Sequence, residues 1–196
     1  MVDFLIHYYR RGEEPFRSLT DLCDADALRL MRQLYTEGSV FWERFKDPED
    51  YLAARRRIEA WMYDEFVAQG GMPQERRPIY MTLGRSRWAE SVVDPLTTAM
   101  TTEIEVPLAI FQDSDVSFTY PDSMVSMMVA AARDPSTFQP GYHGELFTRE
   151  RIREIVERKG MPEEGWETRV PRRLAHYIEV QVWNREPIRR WYRGRS

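Results

Sequence analysis

Near the C-terminus, the run Tyr177-Ile178-Glu179-Val180-Gln181-Val182-Trp183 alternates without a break between aliphatic residues and polar or aromatic ones. A period of two belongs to a strand. Ile178, Val180 and Val182 therefore share one face, and Tyr177, Glu179, Gln181 and Trp183 share the other. The pattern commits the chain to a sheet with one apolar face. It also places an acid among aromatics, either as an edge charge meeting water or as a carboxylate held in a cleft.

Other segments sort around this strand. Phe4–Tyr9 reads as a first strand, and Arg10-Arg11-Gly12-Glu13-Glu14-Pro15 as the turn that leaves it. Pro78–Leu83 and Glu103–Phe111 read as middle strands. Pro107, which has no N–H to give a ladder, puts the second of these at an edge or a bulge. Gln112-Asp113-Ser114-Asp115 reads as a turn into a return strand over Val116–Thr119. Asp24 can cap a helix to about Thr36, with Leu28, Met31, Leu34 and Tyr35 on one face and Gly38 beyond its end. Asp47-Pro48-Glu49-Asp50 starts a longer helix, with proline at its first position and acids in its first turn. Its apolar face is read as Tyr51, Ala54, Ile58, Trp61, Met62 and Phe66, with Arg55-Arg56-Arg57 as a solvated face. A helix over Ser123–Arg133 carries Met124, Met127 and Met128, read as core filling. Thr148 caps another that turns Ile152, Ile155 and Val156 inward. The expected class is α+β: one domain over residues 1–184, with a mostly antiparallel split sheet flanked by helices.

The chain has 196 residues, 42% hydrophobic and 13% aromatic, which suffices for a full core. Its net charge of −4 gives no general attraction to nucleic acid or membrane. Cys23 is the one cysteine, so no internal disulfide forms. Its acidic neighbours Asp21, Asp24 and Asp26 argue for an inert, buried thiol. No leader peptide or membrane-spanning run is evident, and a cytoplasmic location is the default expectation. Residues 185–196 form a basic aromatic tail: Arg185, Arg189, Arg190, Arg193 and Arg195 surround Trp191 and Tyr192, against Glu186 alone. Such a tail can grip single-stranded nucleic acid by charge and stacking. It can equally pack on the domain through its aromatics, which is the favoured reading.

Several chemistries fail on inventory. There is no glycine-rich phosphate loop and no Gly-x-Ser-x-Gly elbow. His7, His143 and His176 are scattered. Asp113, Asp115 and Asp122 lack the glycine and spacing of a calcium loop, and no metal is expected. A two-carboxylate glycosidase would need a second acid facing Glu179, and none stands out.

One arrangement remains. His7 lies in the first strand within Leu5-Ile6-His7-Tyr8. Tyr80 lies in Ile79-Tyr80-Met81-Thr82, followed by Arg85-Ser86. Phe118-Thr119-Tyr120 leaves a later strand, and Glu179 sits in Ile178-Glu179-Val180. This His–Tyr–Glu order resembles the diphtheria-toxin-like ADP-ribosyltransferases, and within them the DarT-like DNA ADP-ribosyltransferase toxins. Tyr120 stands where that family's turn carries an aspartate. Tyr177 stands two residues before Glu179, so the Glu-x-Glu pattern of arginine-modifying members is absent. The resemblance implies NAD as substrate. Glu179 would stabilise positive charge on the ribose, His7 would hold the ribose, and Tyr80 would stack on nicotinamide. Arg85 would pair with the NAD phosphates or with a nucleic-acid acceptor. Arg85, Arg189, Arg190 and Arg193 are the residues expected to meet nucleic acid. The rival expectation is a non-catalytic interaction protein built on the aromatics Trp42, Trp61, Trp88 and Trp166 and on the basic tail. Glu179 would then be an exposed edge charge and His7 would have no partner.

Overall fold

The computed structural model describes residues 2–39, 41–92, 101–162 and 175–195. Five strands form one sheet in the order β3-β1-β2-β5-β4. They are β1 (Phe4–Arg10), β2 (Ile79–Leu83), β3 (Thr101–Pro107), β4 (Val116–Thr119) and β5 (Glu179–Val182). Every pairing is antiparallel. Helices α1 (Asp24–Leu34), α2 (Pro48–Ala68), α3 (Arg87–Val92), α4 (Ser123–Ala132), α5 (Arg149–Lys159) and α6 (Glu186–Arg193) complete an α+β architecture, as expected. Among the described residues no helix is long and apolar enough to cross a membrane.

The pairing is uneven. β1 pairs with β3 over seven positions but with β2 over only two, Leu5 with Leu83 and Ile6 with Thr82. The sheet is thus two ladders, β3-β1 and β2-β5-β4, joined at a short seam.

The two faces differ in chemistry. Leu5, Ile79, Met81, Val106, Phe118, Ile178, Val180 and Val182 pack one face into the largest apolar cluster, together with Ile152 and Ile155 of α5 and Ile188 of α6. The register puts Tyr80, Thr82, Ser117, Thr119, Glu179 and Gln181 on the opposite face. That face is mostly polar and is nonetheless buried. The alternation read at 177–183 is observed. β5 lies between β2 and β4, so the aliphatic residues enter the main core, while Trp183 packs beside Met62 and Phe66.

Several expectations change. The third strand stops at Pro107 on the edge of the sheet, and Leu108–Ile110 turn into a short 3-10 segment. Its run of alternating aliphatics therefore does not continue as strand to Phe111. The long helix buries Leu52 against α1, and turns Glu59, Met62 and Phe66 toward the sheet. Tyr51, Ala54, Ile58 and Trp61 flank that stripe, half-buried. In α4 the buried side chains are Ser123, Ser126 and Val129, and Met128 is exposed. Small hydroxyl residues let this helix approach the polar sheet face closely, while Met124 and Met127 are half-buried beside it. Cys23 is exposed and donates to Asp26 Oδ2 at 3.2 Å. It sits at the N-cap of α1 rather than within its buried face. Trp42 and Trp88 are buried, which removes them from any aromatic surface, and Trp166 lies outside the described residues. The tail packs as favoured: Ile188 is buried in the main cluster and Trp191 lies against it.

Ile178 leads into β5 and is wholly buried. Ile178→Ala should cost about 2–5 kcal/mol in urea unfolding, the range for a core truncation that leaves a cavity. A loss under about 0.5 kcal/mol would show that the central ladder does not carry the fold.

Candidate functional site

Helix α2 brings a charged pair to the polar sheet face. Its stripe Leu52, Arg55, Glu59, Met62 and Phe66 advances in steps of three and four, so all five look the same way. Two of these core-facing positions are ionic. The run Arg55-Arg56-Arg57 is not wholly solvated, because the Arg55 side chain is only 12% exposed. Its guanidinium lies 3.8 Å from the centroid of the Tyr80 ring. It donates to Ser123 Oγ at 2.8 Å and to Glu179 Oε2 at 3.5 Å. Burial alone would lower the Arg55 pKa, but Tyr80, Glu179, Tyr51 and Glu59 around it more than offset this and hold it well above the ordinary value.

Glu179 is the hub. It is 4% exposed on an interior strand, so it is not an edge charge. Its Oε1 accepts from Ser123 Oγ at 2.6 Å, from Gln181 Nε2 at 3.0 Å and from the Ser123 N–H at 3.4 Å. Gln181 is itself fixed, accepting from Ser117 Oγ and donating to Thr119 Oγ1. Trp183 Nε1 donates to Ser117 Oγ in turn. The carboxylate thus sits at the end of a chain of oriented dipoles, and its geometry is fixed in advance.

A second buried carboxyl group adjoins it. Asp122 caps α4, accepting from the Val125 N–H at 2.8 Å, and immediately precedes the Ser123 that bonds Glu179. Burial and then the Glu179 charge push the Asp122 pKa up to about 6. On the other side of Arg55, Glu59 accepts from Tyr80 Oη at 2.8 Å and from Thr20 Oγ1 at 2.7 Å. Burial raises Glu59, against the pull of those two donors. Burial likewise holds the Tyr80 phenol well above its ordinary value.

The residues expected from sequence are only partly brought together. Tyr80 and Glu179 share the polar face, one on each side of Arg55. His7 does not join them. Its strand neighbour Leu5 is on the main-core face, and by alternation His7 points there too, across the sheet from Glu179. Both of its ring nitrogens are engaged: Phe16 N–H donates to Nε2 at 2.9 Å, so the proton sits on Nδ1, which donates to the Tyr80 carbonyl at 3.1 Å. The ring stacks on Phe16 and Tyr9. His7 is therefore a brace just beyond the β1–β2 seam, and it has partners. Arg85 is also apart, held by ion pairs to Glu103 and Glu105 on the edge strand β3. Asp113 pairs with Arg149, while Asp115 is bound by the Gln112 N–H and Asn184. Among the described residues no cluster of three or more acids, histidines or cysteines could hold a metal ion.

The sequence does not assign Arg55, Glu59, Asp122 or Ser123 to this site: Arg55 reads as a solvated face and Asp122 only as an acid of a failed calcium loop. A signal for the first two exists: charged residues at positions that continue the stripe Leu52-Met62-Phe66. For Asp122 and Ser123, only the fold reveals that the start of α4 abuts β5.

The two shifted groups make opposite contributions to stability against pH. Burial lowers His7 from 6.5 to about 4, against the opposing bond to Tyr80. The unfolded chain then binds more protons over that interval, and stability worth roughly 3 kcal/mol is lost as pH falls from 6.5 towards 4. Asp122 is raised from 3.8 to about 6, so its contribution is complete below 3.8 and is lost as pH rises through 6. That change is also roughly 3 kcal/mol. Relative to the parent, Asp122→Asn should gain stability as pH climbs from 4 to 6, since asparagine can keep the cap. His7→Gln should lose stability, relative to the parent, over the same range. Urea unfolding at several pH values checks this, and curves parallel to the parent would contradict both assignments.

Comparison of the chain with protein-family models, with curated proteins and with solved structures found no match.

Proposed function

We propose that the chain is an ADP-ribosyltransferase-like enzyme in which Glu179 stabilises positive charge at a sugar's anomeric carbon and Asp122 serves as the second acid. One observation carries the reading. Glu179 is a buried carboxylate on an interior strand, fixed by Ser123, Gln181 and Arg55. Cleaving the bond between ribose and nicotinamide sends the bonding electrons with the departing base. It leaves oxocarbenium character on the sugar, and a fixed carboxylate facing that charge lowers the barrier. The incoming hydroxyl then forms the new bond to carbon and gives up its proton. Asp122, with its pKa near 6, is suited to take it. NAD is the donor implied by the His–Tyr–Glu resemblance, and a nucleic acid is the implied acceptor.

The NAD contacts implied by that resemblance need revision. His7 lies across the sheet with both nitrogens committed. The face of Tyr80 is covered by Arg55, and Arg85 is neutralised by Glu103 and Glu105. The proposal therefore rests on Glu179 and Asp122, with Arg55 as the group that must swing aside to admit a substrate.

A second reading, a non-catalytic interaction protein, is favoured by the completeness of the same network. Glu179 and Gln181 are buried and fully bonded within the protein, as a purely structural lock would be.

Nicotinamide release from NAD, followed by chromatography with and without single-stranded DNA, separates the two. The transferase reading expects slow turnover that falls about 100-fold or more in Glu179→Gln, the scale for losing a preorganised electrostatic group. His7→Gln should leave turnover unchanged. Near-UV circular dichroism at the assay temperature shows whether each variant is folded. Absence of turnover in the parent protein, with no thermal shift on adding NAD, would leave the interaction reading standing.

A further inference from the structure

On the main-core side of the sheet, beyond the seam braced by His7, lies a cavity of about 320 Å³. Its apolar wall includes Phe16, Ile79, Ile188 and Tyr192, and four arginines also line it: Arg17, Arg185, Arg189 and Arg193. We propose that this cavity binds the phosphate and ring of a nucleoside 5′-monophosphate, at a site separate from Glu179.

The lining is unbalanced in charge. Glu14 is the one acid in the lining, and its contact with Arg17 is long, at 3.9 Å. Arg185 is matched by Asp21 at 2.7 Å, yet its Nε is buried with no acceptor among the described residues. Arg189 and Arg193 stand one helical turn apart on α6, and neither makes an ion pair among the described residues. Like charges at this spacing repel, and α6 gains from an anion held between them. The helix dipole favours Arg193 in the last turn but does not account for Arg189 near the middle. By contrast, Arg190 on the neighbouring face is paired with Glu186 and lies outside the cavity. A phosphate monoester carries about −1.5 to −2 charges near neutrality and accepts bidentate bonds from guanidinium groups, which matches this unbalanced pair.

The remaining wall suits a planar ring. Phe16 is held at a left-handed φ of 63°, where its N–H bonds His7 and its ring stacks on the imidazole at 5.0 Å. A non-glycine residue in that conformation carries strain, which the brace offsets. Tyr192 meets Phe16 edge-on with ring centroids 5.5 Å apart, and remains 40% exposed. A volume near 320 Å³ is at the small end of ligand cavities, the scale of a mononucleotide rather than a dinucleotide.

Isothermal titration of the intact protein with AMP, adenosine and inorganic phosphate tests the site. AMP should bind and weaken with added salt, while adenosine and phosphate alone bind at least tenfold more weakly. Arg189 and Arg193 are exposed, so Arg189→Ala/Arg193→Ala should leave the fold intact and reduce AMP affinity at least tenfold. Glu179→Gln, across the sheet, should bind AMP as the parent does at a temperature where circular dichroism shows it folded, which keeps this test separate from that of the transferase reading. Competition by a 5′-phosphorylated oligonucleotide, but not by its 5′-hydroxyl counterpart, would identify the end of a strand as the source of the phosphate. Competition by neither would identify the free nucleotide. Absence of AMP binding, equal binding of adenosine, equal binding of inorganic phosphate, or full affinity in the double arginine variant would each overturn the proposal.

Discussion

The burial of Arg55 against Glu179 organises one whole side of this protein. Removing two charges from water costs several kcal/mol for each ion, and their attraction repays it only when further hydrogen bonds satisfy both. Here those bonds come from Ser123, Gln181 and, through them, Ser117, Thr119 and Trp183. The requirement explains why a sheet face that would ordinarily be aliphatic is lined by hydroxyls and an amide. It also explains why α4 meets the sheet through serines. The apolar core on the opposite face supplies the hydrophobic stabilisation, and the polar side supplies a unique arrangement. A slip of one residue in β5 would move Glu179 into the aliphatic cluster and Val180 into the polar one.

The same constraint shapes what the site can do. A carboxylate that is already desolvated and oriented needs little reorganisation when charge develops opposite it, which is the condition for electrostatic catalysis. The arginine that makes its burial tolerable also covers it. Activity at Glu179 would therefore require a second position for Arg55, whose guanidinium here lies against the Tyr80 ring. On the far side of the sheet, His7 performs a different task. It joins the β1 side chain layer to the backbone of β2 where ladder pairing has ended, and it fixes Phe16 in the wall of the arginine-lined cavity.

Much of this was legible from residue order. Strict alternation over 177–183 revealed both faces of β5, and Pro107 limited β3 to an edge or a bulge, of which the edge is observed. The start of α2 followed from Asp47-Pro48, and Thr148 capped α5. What stayed hidden depended on tertiary partners. The stripe Leu52-Arg55-Glu59-Met62-Phe66 competes with a more apolar one through Ile58 and Trp61, and hydrophobicity alone selects the wrong rotation. Only the acid and phenol waiting on the sheet make Arg55 and Glu59 the inward pair. His7 and Glu179 share a residue order that suggests one cleft, but the side chain direction on β1 divides them. Strand adjacency is set by topology, while facing is set by register, and sequence spacing between distant strands does not report it.

The most direct test is a double-mutant cycle on Arg55 and Glu179, followed by urea unfolding. If their pairing is the constraint on which the polar side depends, Arg55→Met and Glu179→Gln should each destabilise by about 3–5 kcal/mol, because each strands a buried charged or polar partner. The double variant should then recover much of the loss, giving a coupling of more than about 1.5 kcal/mol. Losses that add to within about 0.5 kcal/mol would show that the two side chains are independent, and would contradict the account.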